Sequence, residues 1–233
     1  MTNRPEQISQ ADFEAIIGFT VHDAKNALGL MLHATEDLAR DLAKDPTQRA
    51  RIASLQYELA RVNGALMRLL ALHRMRYQQL PLCPDSHPLD ELCEDLVARI
   101  HSLAELRNNQ LQVECPEGLL GIFDHELVGA VVLHALFGAL RYGDRTTLLQ
   151  AQAVDHGVVL RVSDDGPGFS KQQLQMIGSQ PGQAHLSSGD TGLGLYFSSR
   201  IAALHQQHGR RGEVRLRNGA PLGGGVFELF LPG

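Results

Sequence analysis

"VSDDGPGF", residues 162–169, decides how the C-terminal half of this chain folds. Apolar Val158, Val159, Leu160 and Val162 run into it as a strand, and the strand ends at Asp164. Gly166 and Gly168 follow, where backbone without Cβ atoms turns tightly and lets a flat ligand come close. Fixed at a strand end, the Asp164 carboxylate can accept a hydrogen bond from an exocyclic amine such as that of adenine. A plain Asp-Gly-Pro-Gly turn accounts for the same residues, and the motif alone leaves both readings open.

Upstream, "TTLLQAQAVDHG" (146–157) pairs with "VVLRVSDDG" (158–166) as an antiparallel ribbon. Before it lie an amphipathic helix (89–108), two strands (110–115 and 119–123) and a buried helix (124–143). Downstream come a short helix near 170–177 and the polar, glycine-containing stretch "GSQPGQAHLSSGDTG" (178–192), suited to a mobile lid. A helix over 192–207 and strands "GEVRLRN" and "GGVFELFL" close the chain. The spacing predicts an α/β sandwich with helices on one face of the sheet. Gly192 and Gly194 open the last helix, where free N–H groups and the positive helix end favour a phosphate, although a GxG there often only caps.

"YQQLPLCPDSHP" (77–88) carries three prolines and reads as a linker, placed at 78–88. It separates a C-terminal domain (89–233) from an N-terminal one (1–77). In the N-terminal part, apolar or small residues fall at Phe13, Ile17, Thr20, Ala24, Ala27, Met31, Ala34 and Leu38. A second run reads Ile52, Leu55, Leu59, Val62, Leu66 and Leu69. Steps of three and four make a coiled-coil seam. With the turn "KDPTQ" between them, the runs predict an antiparallel hairpin of helices 10–43 and 48–77. Two helices alone leave a wide apolar stripe uncovered, so a homodimeric four-helix bundle is expected; packing on the rest of the same chain is the alternative. The fold class is thus α+β. With Thr20 and Ala24 in the seam, His22 points to solvent, Asp23 flanks it and Asn26 stands one turn further on the same face.

Composition narrows the function. A formal net charge of -5 supplies no field for nucleic acid. The three cysteines are scattered, without metal-ligand spacing, and suit a reduced, cytoplasmic protein. The first residues have no apolar core, which argues against a signal peptide. The most apolar run, 127–140, is too short to span a membrane and contains His134.

In order and spacing these pieces resemble the sensor histidine kinases of two-component signalling. "HDAKN" (22–26) looks like the family's H-box, "DDGPG" like its first glycine box and "GDTGLGL" like its second. "HALFGALRYG" (134–143) stands in place of the N-box. The resemblance implies a Bergerat (GHKL)-type domain binding ATP and Mg²⁺. Asp164 would bind adenine, with Gly166, Gly168, Thr191, Gly192 and Gly194 closing on the nucleotide. Tyr142 is retained, and Arg141 beside it can meet a phosphate. His22 would attack the γ-phosphate in line, Asp23 would orient the ring and take up its other proton, and the phosphoryl group would pass to an aspartate of a response-regulator receiver. Asn26 occupies the family's place for a residue that positions a water, which implies the reverse dephosphorylation.

The family usually places asparagines ten and fourteen residues after an aspartate like Asp124, the second of them a Mg²⁺ ligand. Here those positions hold His134 and Gly138. Glycine donates nothing, imidazole is a poor ligand for Mg²⁺, and no metal ligand is assigned. Three functions follow: a cytosolic histidine kinase driven by an upstream sensor protein; a kinase-like phosphotransferase or regulator phosphatase that makes no use of ATP; or an ATPase of the gyrase and Hsp90 kind, against which the H-box argues.

Overall fold

Good helix formers fill residues 20–34 and no proline breaks them; they lie within α1 (Gln10–Asp41). Pro46 opens α2 (Pro46–Arg76) at the position where its missing N–H has no intrahelical partner to lose. This computed structural model describes residues 10–41, 46–77, 79–175 and 192–233. It divides into two compact units, Met1–Leu80 and Pro81–Gly233.

In the first unit α1 packs against α2. The seam between them differs from the single stripe expected. On α1, Val21 and Thr35 are buried and Leu28 is half-buried, while Thr20, Ala27, Met31, Ala34 and Leu38 are exposed. On α2, Ile52 is buried and Leu59 and Leu66 are half-buried, whereas Leu55, Val62 and Leu69 are 51%, 44% and 48% exposed. The reason is geometric: one partner helix covers one stripe, so alternate members of each three-four pattern turn away from it. A second apolar stripe is left at the surface.

The second unit holds nine strands and four helices among its described residues. β1 (Asp85–Pro88) pairs antiparallel with β3 (Leu120–Phe123), Asp85 opposite Phe123. So the proline-bearing stretch read as linker carries a strand; β1 pairs on one side only, and such an edge strand tolerates Pro88. The main sheet runs β2 (Gln110–Glu114), β4 (Thr146–Val154), β5 (Gly157–Asp164), β9 (Gly225–Pro232), β8 (Glu213–Asn218). β2 and β4 are parallel and the other pairs antiparallel, which makes the sheet mixed.

Alternation sorts the two sheet faces. Leu149, Val162 and Phe227 share one row, and Ala151, Leu160 and Leu229 the next; all are buried. Against the sheet and one another pack α3 (Leu89–Leu106), α4 (His125–Tyr142) and α6 (Leu193–Leu204), bringing Leu96, Ile100, Val131, Leu136, Phe197 and Ile201 into the core. The short α5 (Lys171–Gln175) follows the glycine turn after β5 and buries none of its residues. The opposite face carries a cross-strand row of Gln150, Arg161, Glu228 and Arg215. Arg161 donates to Glu228 and Gln150 to Glu114.

α6 stops at Leu204, short of the expected end at 207. His205, 3% exposed, leaves the helix; its Nδ1 meets the Ile201 carbonyl at 2.9 Å and its Nε2 takes the Asp124 N–H at 3.0 Å. Both contacts hold only for the Nδ1–H tautomer. After it, β6 (Gln206–Gln207) and β7 (Arg210–Arg211) pair as a short hairpin around Gly209 at φ +75°. No described helix is long and apolar enough to cross a membrane.

Candidate nucleotide-binding site

Asp164 ends β5 and is 8% exposed. Its Oδ1 accepts the Gly166 N–H at 2.9 Å and the Gly225 N–H at 3.2 Å, and its carbonyl accepts the Gly224 N–H at 3.0 Å. Oδ2 accepts no hydrogen bond from a described residue. Burial pushes the carboxyl up from its ordinary range; the Gly166 and Gly225 amides pull the other way without offsetting it, and Asp165 and Asp144 add like charge. A carboxylate kept at a desolvation cost, one oxygen tethered and one open, suits a ligand donor and not a scaffold.

Glycine is required around it. A Cβ on Gly166 would lie 2.1 Å from the Tyr142 carbonyl oxygen, and one on Gly224 2.5 Å from Asp164 Oδ1. Gly168 works differently: at φ +78° it passes against the side chain of Asn218, whose Oδ1 accepts the Phe169 N–H at 2.7 Å and whose Nδ2 donates to the Phe169 carbonyl at 2.9 Å. Asn218 pins the glycine turn to the end of β8, a role without a sequence signature. Asp165 points elsewhere. Desolvation pushes it up, but the amides of Arg145, Thr146 and Asp144 outweigh this and hold it below the usual carboxylate range.

The helix expected to meet phosphates begins as the glycines predict. Gly192 caps α6 in the left-handed region at φ +64°, and Gly194 is buried. The imidazole of His134 occupies the space over Gly194: a Cβ there would lie 1.9 Å from Nε2. This places the first unusual N-box residue against the second glycine box. One turn along α4, a Cβ on Gly138 would meet no atom within 4 Å, so the site of the expected asparagine is open and carries no oxygen. At the end of α4, Tyr142 is 42% exposed and Arg141 lies 5.2 Å from its ring centroid, a cation–π distance. Asp124 caps the same helix, accepting the Leu127 N–H through Oδ1 and the Cys83 N–H through Oδ2, both at 3.0 Å.

Asp164, Gly166, Gly225 and Gly224 therefore converge, as do His134, Gly192 and Gly194. Thr191 and the expected lid over 178–191 lie outside the described residues. On α1, Asp23, Lys25 and Asn26 are exposed; the His22 side chain is outside the described set.

Residues 124–233 match the family model "Histidine kinase-, DNA gyrase B-, and HSP90-like ATPase". The chain is 25% identical over 225 residues to the signal transduction histidine-protein kinase AfsQ2 of Streptomyces coelicolor, covering 91% of this chain and 40% of AfsQ2. Among solved structures, histidine kinase AdeS of Acinetobacter baumannii superposes with a TM-score of 0.57 at 16% identity, covering 89% of this chain and 95% of that one. Full-length ShkA in complex with AMPPNP gives 0.62 at 20%, covering 94% of this chain and 46% of ShkA. The chain thus spans less than half of AfsQ2, and the structural likenesses speak for the fold alone. Residues 124–233 thus form a domain of the histidine kinase-, DNA gyrase B- and HSP90-like ATPase family, and together with the histidine-kinase relatives this supports a two-component sensor histidine kinase, with His134 and Gly138 at the N-box positions.

Proposed function

We propose that this chain is an ATP-dependent histidine kinase that works as a homodimer, phosphorylates its own His22 and passes the phosphoryl group to an aspartate of a response-regulator receiver. The observation that carries this reading is the buried Asp164 carboxylate, tethered by two glycine amides through one oxygen and open at the other. Its open Oδ2 accepts the 6-amine of adenine. The backbone at Gly192 and Gly194, with Thr191 before them, approaches the phosphates, and Arg141 adds positive charge at the end of α4. Asp23 orients the His22 imidazole and receives its second proton; Asn26, exposed on the same helix, positions water for the reverse reaction.

Mg²⁺ neutralises phosphate charge when bound. Among the described residues no group of three or more His, Cys, Asp or Glu side chains is placed to hold a metal. Gly138 offers none of the oxygen its position would supply, so this chain's described residues do not fit a protein-held Mg²⁺.

The test is labelling with γ-labelled ATP. Wild-type protein acquires acid-labile, alkali-stable phosphate and His22→Ala does not. If His22 exchanges phosphate with a phosphorylated receiver but ATP fails to bind at millimolar concentration, the phosphotransfer reading replaces the kinase. Gly138→Asn, which the open space accommodates, strengthens the Mg²⁺ dependence of ADP binding and speeds labelling. An unchanged metal dependence would show that the missing amide is not what limits the site.

A further inference from the structure

The face of the main sheet turned away from Asp164 holds a second concavity. On β5, Val162 and Asp164 point to the helix-covered face, so Val159 and Arg161 point to the other. Register carries those two rows across the sheet. Val159 lies beside Phe230 and then Glu213, and Arg161 beside Glu228 and then Arg215. Beyond Val159 the next row on this face falls on Gly157, between Val154 and Pro232, and has no side chain at its centre. The surface is hollow there. A groove of about 510 Å³ opens over Val159 and Phe230, within the roughly 300–1,000 Å³ usual for small-molecule sites.

Its floor is apolar, but its charges are not balanced. Arg161 donates to Glu228, and Arg215 donates to Glu213 at 2.8 Å, so those four groups neutralise one another. Arg210 and Arg211 border the same groove, exposed and without a side-chain hydrogen bond or ion pair among the described residues. The one other charged group lining it is Asp155. In a chain of net charge -5 this is a local positive excess above an apolar floor. The two arginines stand on a fixed backbone: Gln207 pairs with Arg210, and His208 and Gly209, at φ +49° and +75°, make the two-residue turn whose twist suits a hairpin. We propose that this groove binds a small amphipathic anion, its flat apolar body resting on Val159 and Phe230 and its oxyanion held by Arg210 and Arg211. Guanidinium groups grip carboxylate or phosphate oxygens through paired N–H donors, and the floor adds an apolar burial that a bare ion cannot gain. The groove is short, with the Arg161–Glu228 row at one end and Val154 and Asp155 at the β4–β5 turn at the other, which suits a small molecule and not an extended peptide. The site lies across the sheet from Asp164 and does not depend on the nucleotide reading.

Methyl-labelled NMR titration of the full chain with 2-naphthoate tests this, with uncharged 2-naphthamide and inorganic phosphate as comparators. 2-Naphthoate should shift the Val154 and Val159 methyl signals with one-to-one stoichiometry and bind about tenfold more tightly than either comparator. Arg210→Gln combined with Arg211→Gln should remove that preference, so that 2-naphthoate binds no better than 2-naphthamide. The melting temperature of this double variant should stay close to wild type, because both side chains are exposed. The proposal is overturned if the double variant keeps the preference for 2-naphthoate, or if inorganic phosphate binds wild-type protein as tightly as 2-naphthoate does. Shifts that fall on Leu55 and Val62 of the helical hairpin, and leave Val154 and Val159 unmoved, overturn it as well.

Discussion

Replacing Asp164 by asparagine should move stability and nucleotide affinity in opposite directions. The substituted side chain retains an oxygen for the Gly166 and Gly225 amides, now 2.9 and 3.2 Å from Oδ1. Its amide nitrogen is then forced into the place of Oδ2, where a donor faces the donor amine of adenine. Losing a hydrogen bond to a charged acceptor costs about 1.5–3 kcal/mol, so ADP should bind about 10- to 150-fold more weakly. Purine-riboside diphosphate, which lacks the amine, should bind variant and wild type within a few-fold. Stability moves the other way because the ionised carboxylate is desolvated. The folded protein keeps the Asp164 proton to higher pH than the unfolded chain does. As pH rises through the ordinary aspartate value of 3.8, the unfolded chain ionises first, and wild-type stability falls until the higher folded value is passed. The variant lacks this loss. Its melting temperature relative to wild type should climb across that window and stay no lower at pH 7. Asp165, held below the usual range, loses stability as pH falls, but it is present in both proteins and cancels in the difference. Thermal melts from pH 3 to 7 with parallel ADP titrations decide the matter. A variant that melts well below wild type at neutral pH, or that binds ADP unchanged, refutes the reasoning.

Gly166→Ala places a methyl 2.1 Å from the Tyr142 carbonyl oxygen, a clash with backbone that no rotamer relieves. It should cost about 1–3 kcal/mol, roughly 2–12 °C in the melting of the C-terminal unit, and an unchanged melt would show the turn is not as tight as described. On the hairpin, Leu55→Asp with Val62→Asp charges the second apolar stripe without touching the Ile52 seam. Sedimentation should show a dimer become a monomer of unchanged helicity, and a double variant that stays dimeric would place the interface elsewhere. Burial above all, with the neighbouring Cys115, pushes the Cys93 thiol up to about 12, whereas Cys83 is exposed. At pH 8 iodoacetamide should label Cys83 quickly and Cys93 only after unfolding in urea, as mass spectrometry of the digested protein would report.

The sequence by itself determined the local order of this protein. Runs such as Val158–Val162 favour a strand, Asp164 ends it, and glycines at 166, 168 and 192 open the turns because only the missing Cβ permits them. Helix-forming residues without proline made α1, and repeated three-four spacing made a helical hairpin legible. Those signals lie in neighbouring residues, so composition and spacing expose them.

Contacts between distant residues were decided by the tertiary structure. The hairpin stripe splits in two because a single partner helix covers only one side, which the spacing does not reveal. Asp85–Pro88 becomes a strand because Leu120–Phe123 supplies an edge, overriding a stretch with three prolines that otherwise reads as linker. His205 ends α6 because Asp124, far away in sequence, offers it an N–H. Asn218 gains its role only from the fold, which brings its side chain against the Phe169 backbone. His134 does so from the closeness of two helices over Gly194. Backbone preference and periodicity act over a few residues, whereas burial and hydrogen-bond satisfaction are settled by whatever the fold brings alongside.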